Sequence, residues 1–200
     1  MRAEEYDRWY ATPRGQWIGN CEIDLLYKEL CPRPGESVLD VGCGTGFFTR
    51  AFANLTTGNV IGVDIDTEYV EHACRRDTGG SYYAVADGRS LPFRNASFDL
   101  VISIAALCFI PDEVAAIREI LRVARRRFAI GLLNRKSLLW LQKGRKGGKG
   151  AYRGAHWHTV GEARSIFQGL PTKNMRVRSA VHMPGGGKAA KCIERILPNS

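Results

Sequence analysis

Three acids and three glycines carry the chemistry available to this sequence. Asp40 sits in the apolar run Val38-Leu39-Asp40-Val41, and Gly42, Gly44 and Gly46 follow it at alternate positions. A backbone bending through three glycines leaves N–H groups uncovered, and a helix starting straight afterwards would aim its positive end at the same point. Asp64 closes a second apolar run, Val60-Ile61-Gly62-Val63, and Asp87-Gly88 closes a third. A carboxylate at a strand end can accept two O–H bonds in one plane, which suits a vicinal diol. Ile65, next to Asp64, offers apolar surface to a flat ring. The glycine spacing is not the dinucleotide fingerprint G-x-G-x-x-G, because the third glycine of that pattern would fall at Phe47.

The elements that must position these residues are legible from periodicity. Val38–Val41, Val60–Ile65, Tyr82–Ala86, Phe98–Ala105 and Phe128–Leu133 read as strands, with a sixth expected at about Met175–Met183. Between them lie amphipathic stretches. Phe47, Phe48, Ala51, Phe52 and Leu55 share one face, as do Ile23, Leu26, Tyr27 and Leu30 in a helix expected over Glu22–Cys31. Asp112 is placed to cap a helix carrying Val114, Ile117, Ile120, Leu121 and Ala124, and Thr159 with Glu162 forms a capping box for another. Tyr6–Gly15 lacks periodicity and reads as a loop or short lid. Strands alternating with helices predict a doubly wound, mainly parallel α/β sheet with right-handed crossovers, Rossmann-like in plan. The whole chain reads as one domain: residues 1–35 a lid and helix, 36–134 the ligand-binding core, 135–200 a basic C-terminal part.

Residues 36–134 resemble the methyltransferase type 11 family of class I S-adenosylmethionine (SAM)-dependent methyltransferases. The likeness lies in Val38–Gly46, in Gly62-Val63-Asp64, in Ala86-Asp87-Gly88-Arg89-Ser90-Leu91-Pro92-Phe93 and in Asn95-Ala96-Ser97-Phe98-Asp99-Leu100-Val101. The resemblance implies SAM as cofactor, held by Asp40, Gly42, Gly44, Gly46, Asp64, Ile65, Asp87, Gly88 and Ala105. Asp64 would take the ribose diol, Asp87 the adenine amine, and Ile65 the adenine ring. Two departures stand out: Arg125-Arg126-Arg127 replaces the family's usual P-G-G turn, and the closing antiparallel strand of the family sheet is either missing from this chain or contained in the segment after Gly187. A missing last strand would leave a sheet edge open to pairing with a second copy.

The acceptor side is less defined. Tyr10, His156 and His158 are the candidates there, and a histidine near neutrality can act as base. No metal site is expected, since the six cysteines, Cys21, Cys31, Cys43, Cys74, Cys108 and Cys192, form no C-x-x-C pair. Charge is unevenly spread: residues 1–117 carry 10 Lys+Arg against 17 Asp+Glu, and residues 118–200 carry 19 against 3. A basic part spanning residues 122–195 admits RNA as a partner. Lys143–Gly150 is not a P-loop, lacking the terminal G-K-[ST]. The N-terminal residues carry acids and aromatics where a signal peptide needs a basic and then an apolar segment, and the longest nearly apolar run, Leu100–Ile110, is too short to span a bilayer. The expectation is therefore a cytoplasmic SAM-dependent methyltransferase acting on a small molecule, with an RNA methyltransferase and a non-catalytic SAM-binding subunit as alternatives.

Overall fold

The computed structural model describes residues 1–181. Five strands, β1 (Val38–Val41), β2 (Val60–Asp64), β3 (Ser81–Val85), β4 (Phe98–Ile104) and β5 (Ala124–Gly131), form one sheet in the order β3-β2-β1-β4-β5. Every pair is parallel, with Val38 opposite both Val60 and Leu100. The direction of winding reverses between β1 and β4, and in open α/β sheets such a reversal opens a crevice at the carboxyl ends of the strands.

Six α-helices flank the sheet: α1 (Ala3–Ala11), α2 (Pro13–Leu30), α3 (Phe47–Thr56), α4 (Thr67–Arg76), α5 (Glu113–Val123) and α6 (Val160–Ile166). Alternation along the strands sorts the core into two faces. Val38, Val60, Leu100 and Ile102 pack with Phe48 and Phe52 of α3 and with Leu26 and Leu30 of α2. Leu39, Val41, Val63 and Val101 pack on the other side with Ile117, Ile120 and Val123 of α5. The central strands are buried on both sides, as a parallel sheet covered by helices requires.

Three expectations need correction. The opening segment is helical, not a loop: α1 is followed at once by α2, which starts at Pro13 instead of Glu22. The Thr12 hydroxyl accepts from the N–H of Gly15 at 3.0 Å and Pro13 occupies the first helical position, where its missing N–H costs nothing. β5 begins at Ala124, directly after α5, so the arginine run lies within the strand and not in a turn before it. Residues 175–181 form no strand, and the sheet has five strands among the described residues. The end of that expected strand falls outside the described residues.

Candidate cofactor and acceptor site

The glycine turn joins β1 to α3 with all three glycines at positive φ: 75° at Gly42, 54° at Gly44 and 79° at Gly46. They do different work. A Cβ at Gly42 would stand 2.1 Å from the Cβ of Ala106, and one at Gly46 would stand 2.7 Å from the Tyr83 hydroxyl, so both are pressed against protein. At Gly44 the nearest atom would be Cε1 of Tyr6 at 3.7 Å. The outer side of the turn is thus uncrowded at Gly44, where a tyrosine contributed by α1 lies at ordinary van der Waals distance.

The acids split into two roles. Asp40 is 1% exposed, and its Oδ2 accepts from the Thr49 hydroxyl at 2.7 Å, tying β1 to α3 behind the turn. Burial pushes its carboxyl up to about 7, opposed by the Thr49 bond and helped by the charge of Asp64. Asp64 faces the crevice side: Oδ2 accepts from the N–H of Gly44 at 2.8 Å and Oδ1 from that of Asp66 at 3.0 Å. Burial raises its carboxyl also, against these two backbone bonds. A carboxylate has about four lone-pair positions, so each oxygen keeps one for a ligand. Ile65, beside it, is 65% exposed, a large apolar side chain left in the open at the strand end.

Asp87 lies past the end of β3 and is gripped by Arg89 at 2.7 Å, a contact that lowers its carboxyl below the usual range. Gly88 is buried, with room for a Cβ only at 3.1 Å from Val41. Ala105 follows β4 with φ 60°, a left-handed conformation that costs a non-glycine residue about 1 kcal/mol or more. Its N–H donates to the carbonyl of Gly131, which holds it there.

α1 lies across this edge. Tyr6 stacks on Tyr69 of α4, Tyr10 stacks on Phe47 at 4.0 Å between ring centroids, and the N–H of Ala3 donates to Glu68. Asp7 approaches Arg50, His72 and Arg76. The hydroxyls of Tyr6 and Tyr10 are 3.5 Å apart, and burial pushes that of Tyr6 up to about 12. Of the histidine candidates, His158 is buried against Glu113 at 2.9 Å, whereas the His156 side chain is exposed. Tyr10 therefore joins the turn, and His158 joins the wall of a cavity of about 840 Å³ beside β5. That cavity runs from Ala105 along β5 to residues 173–181.

The comparisons fit this geometry. Residues 39–127 match the methyltransferase domain family. An uncharacterised protein of Methanocaldococcus jannaschii is 30% identical over 182 residues, which cover 90% of this chain and 82% of that one. The chain belongs to the methyltransferase domain family. An O-methyltransferase of Penicillium expansum is 36% identical over 126 residues, 58% of this chain, and the match spans 46% of that protein's length. Among solved structures, a SAM-dependent methyltransferase of Thermotoga maritima superposes with a TM-score of 0.66 at 22% identity, over 82% of this chain and 74% of that one. It has the same fold.

Within this methyltransferase frame, several residues that matter were not singled out by sequence. Thr49 secures Asp40, Tyr6 roofs Gly44, and Glu22 of α2 faces the cavity with a carboxyl raised by burial to about 7. The arginines of β5 are largely committed to structure. Arg127 grips Glu36 at 2.6 Å and 2.7 Å, and Arg125 reaches Asp99 at 3.0 Å. Among the described residues no group of three or more His, Cys, Asp or Glu is placed to hold a metal ion. Nor is any described helix long and apolar enough to cross a membrane.

Proposed function

We propose that this chain binds SAM at the carboxyl edge of β1, β2 and β3 and transfers its methyl group to a small-molecule acceptor in the cytoplasm. The observation that carries the reading is the hydrogen bond from the N–H of Gly44 to Asp64, which supports a diol-accepting carboxylate held beside the one glycine of the turn that is not crowded, where a Cβ would meet only Tyr6 at 3.7 Å. The residues fit the group. Gly44 allows close approach of the main chain, Asp64 keeps lone pairs for the ribose hydroxyls, and exposed Ile65 offers a surface for adenine. Gly42 and Gly46 shape the turn, and Asp40 acts from behind through Thr49. Asp87 with Gly88 closes the adenine end, and Ala105 borders the side toward the acceptor.

SAM, when bound, supplies a methyl group already activated by its sulfonium, so the protein's task is alignment and exclusion of water. Tyr6, Tyr10 and Phe47 form an apolar roof and wall suited to that. Small acceptors are favoured over RNA because Arg122, Arg125 and Arg127 of the basic part are paired with Glu119, Asp99 and Glu36. Calorimetric titration with SAM, S-adenosylhomocysteine and NAD is the test. Saturable 1:1 binding of the first two and none of NAD is expected; the opposite order would refute the reading.

A further inference from the structure

Among the described residues that are not exposed, Glu22 is the one acidic side chain with no hydrogen-bond or ion-pair partner. Among the described residues, every other acidic side chain that is not exposed either accepts a hydrogen bond or stands in an ion pair, as Asp40 does with Thr49, Glu36 with Arg127, Glu113 with His158 and Glu29 with Arg178. Glu22 has neither, and it sits in the wall of the cavity shared with Ile104, Ala105, Leu133, Asn134 and His158. α2 presses this face on the glycine turn. A Cβ at Gly19, one helical turn before Glu22, would stand 2.5 Å from the ring of Phe47, the residue that follows Gly46. Glu22 is thus carried beside the cofactor edge by the same helix face that packs against it, while Ala105 marks where β4 ends in the same cavity.

An unpaired carboxylate held in an apolar wall is costly unless something else uses it. We propose that Glu22 is the base for methyl transfer, and that the acceptor carries an O–H or N–H in place of a carboxylate or thiol. The step rests on the SAM reading above. The acceptor oxygen or nitrogen forms its bond to the methyl carbon as the C–S bond breaks, the electron pair of that bond stays on sulfur, and the acceptor's proton passes to a carboxylate oxygen of Glu22. A carboxylate acceptor needs no base, and a thiol can react as its thiolate. The other candidates are less suited: His158 is held by Glu113, the His156 side chain is exposed, and burial raises the Tyr10 hydroxyl well above its ordinary range. The charged and titratable groups around Glu22 are Tyr6 and Tyr10 from α1, Arg14 and Glu29 from α2, Tyr152 from the segment after Gly150, and, along the cavity, Lys136, His158, Lys173, Arg126 and Arg127 of β5, and Arg176 and Arg178; Arg127 is paired with Glu36, and Arg176 and Arg178 with Glu29. Burial among them leaves the Glu22 carboxyl at about 7, so the base form grows in as pH rises through neutrality.

The test uses the full chain, labelled SAM, and a fixed panel of phenols, catechols and alkylamines set against carboxylic acids and thiols. Turnover is expected on hydroxyl or amine compounds, with kcat rising through a limb near pH 7. Glu22→Gln should bind SAM as wild type does by calorimetry while losing at least about 100-fold in kcat, the usual scale of general-base catalysis, together with the limb. Glu22→Asp should fall between the two. Turnover confined to carboxylates or thiols, no turnover on any hydroxyl or amine compound, or a Glu22→Gln enzyme with wild-type kcat and an unchanged limb would each overturn the assignment. Failure of the wild-type chain to bind SAM would instead bring down the cofactor reading, which separates the two claims.

Discussion

Removing the Asp64 carboxylate tests the cofactor site most directly. In Asp64→Ala the N–H of Gly44 loses its acceptor at 2.8 Å, and the N–H of Asp66 loses one at 3.0 Å. Asp66 is exposed, so water replaces its lost bond, whereas the Gly44 donor sits inside the turn beneath Tyr6. A hydrogen bond to a charged group contributes about 1.5–3 kcal/mol. The turn should therefore lose stability near the lower end of that range, about 1.5 kcal/mol. SAM affinity should lose the full range, roughly 10- to 150-fold in Kd, because both the pre-set turn and the diol acceptor go together. Asp64→Asn keeps one oxygen for Gly44 but cannot offer two acceptors, and it should fall between. Calorimetry at fixed pH gives the Kd, and thermal unfolding of the same samples separates lost binding from lost folding. An Asp64→Ala chain that stays folded and binds SAM within twofold of wild type would refute the role given to this residue.

Other outcomes follow from the same geometry. Gly42→Ala should lose about 1–3 kcal/mol from overlap with Ala106, plus about 1 kcal/mol from its φ of 75°, and adding Ala106→Gly should return only the first part in urea unfolding. Arg127→Ala removes the closest cation from Glu36, which is 7% exposed and keeps only the Arg33 N–H at 2.8 Å and Arg126 at 4.0 Å, and should destabilise the chain by about 3 kcal/mol; a loss under about 1 kcal/mol in urea unfolding would show that these remaining groups or water suffice for the carboxylate. Asp40 holds its proton up to about pH 7 in the folded chain but releases it near pH 4 when unfolded. Its contribution to stability is thus fully present below about pH 4 and is lost as pH rises through 7. Asp40→Asn keeps an acceptor for Thr49 and should flatten the fall in unfolding midpoint between pH 4 and 7.

Much of this site was visible in the residue order because local physics sets it. The β1 strand, the glycine turn and the amphipathic α3 stand where the sequence placed them, and so does the capping box of α6, in which Thr159 and Glu162 bond each other's backbone N–H. Asp112 caps α5 as expected, accepting from Ala115 at 3.0 Å. What was hidden depended on sidedness or distance. β1 is buried on both faces, so its pattern does not say whether Asp40 looks toward a ligand or toward Thr49. Glu22 shares its stripe with Leu26 and Leu30, which are buried, while the expected stripe included Tyr27, which is half exposed. The arginine run looked like a charged turn because its partners, Glu36 and Asp99, are remote in sequence. α1 escaped notice because its stripe is made of tyrosines that meet Phe47 and Tyr69 only in the folded chain.

The passage from α5 to β5 has a further consequence. Ala124 both follows the last residue of the helix and begins the strand, with no residue between them to take up slack. Because neighbouring strand residues point to opposite faces, one amino acid inserted here would turn Arg127 away from Glu36 and swing Phe128 out of the layer it shares with Phe167. A change of one residue at this junction has only the irregular pairing of Ala124–Arg127 opposite Phe98–Leu100 to absorb it, whereas the glycine-rich stretch 144–150 can lengthen without moving a single ladder pair.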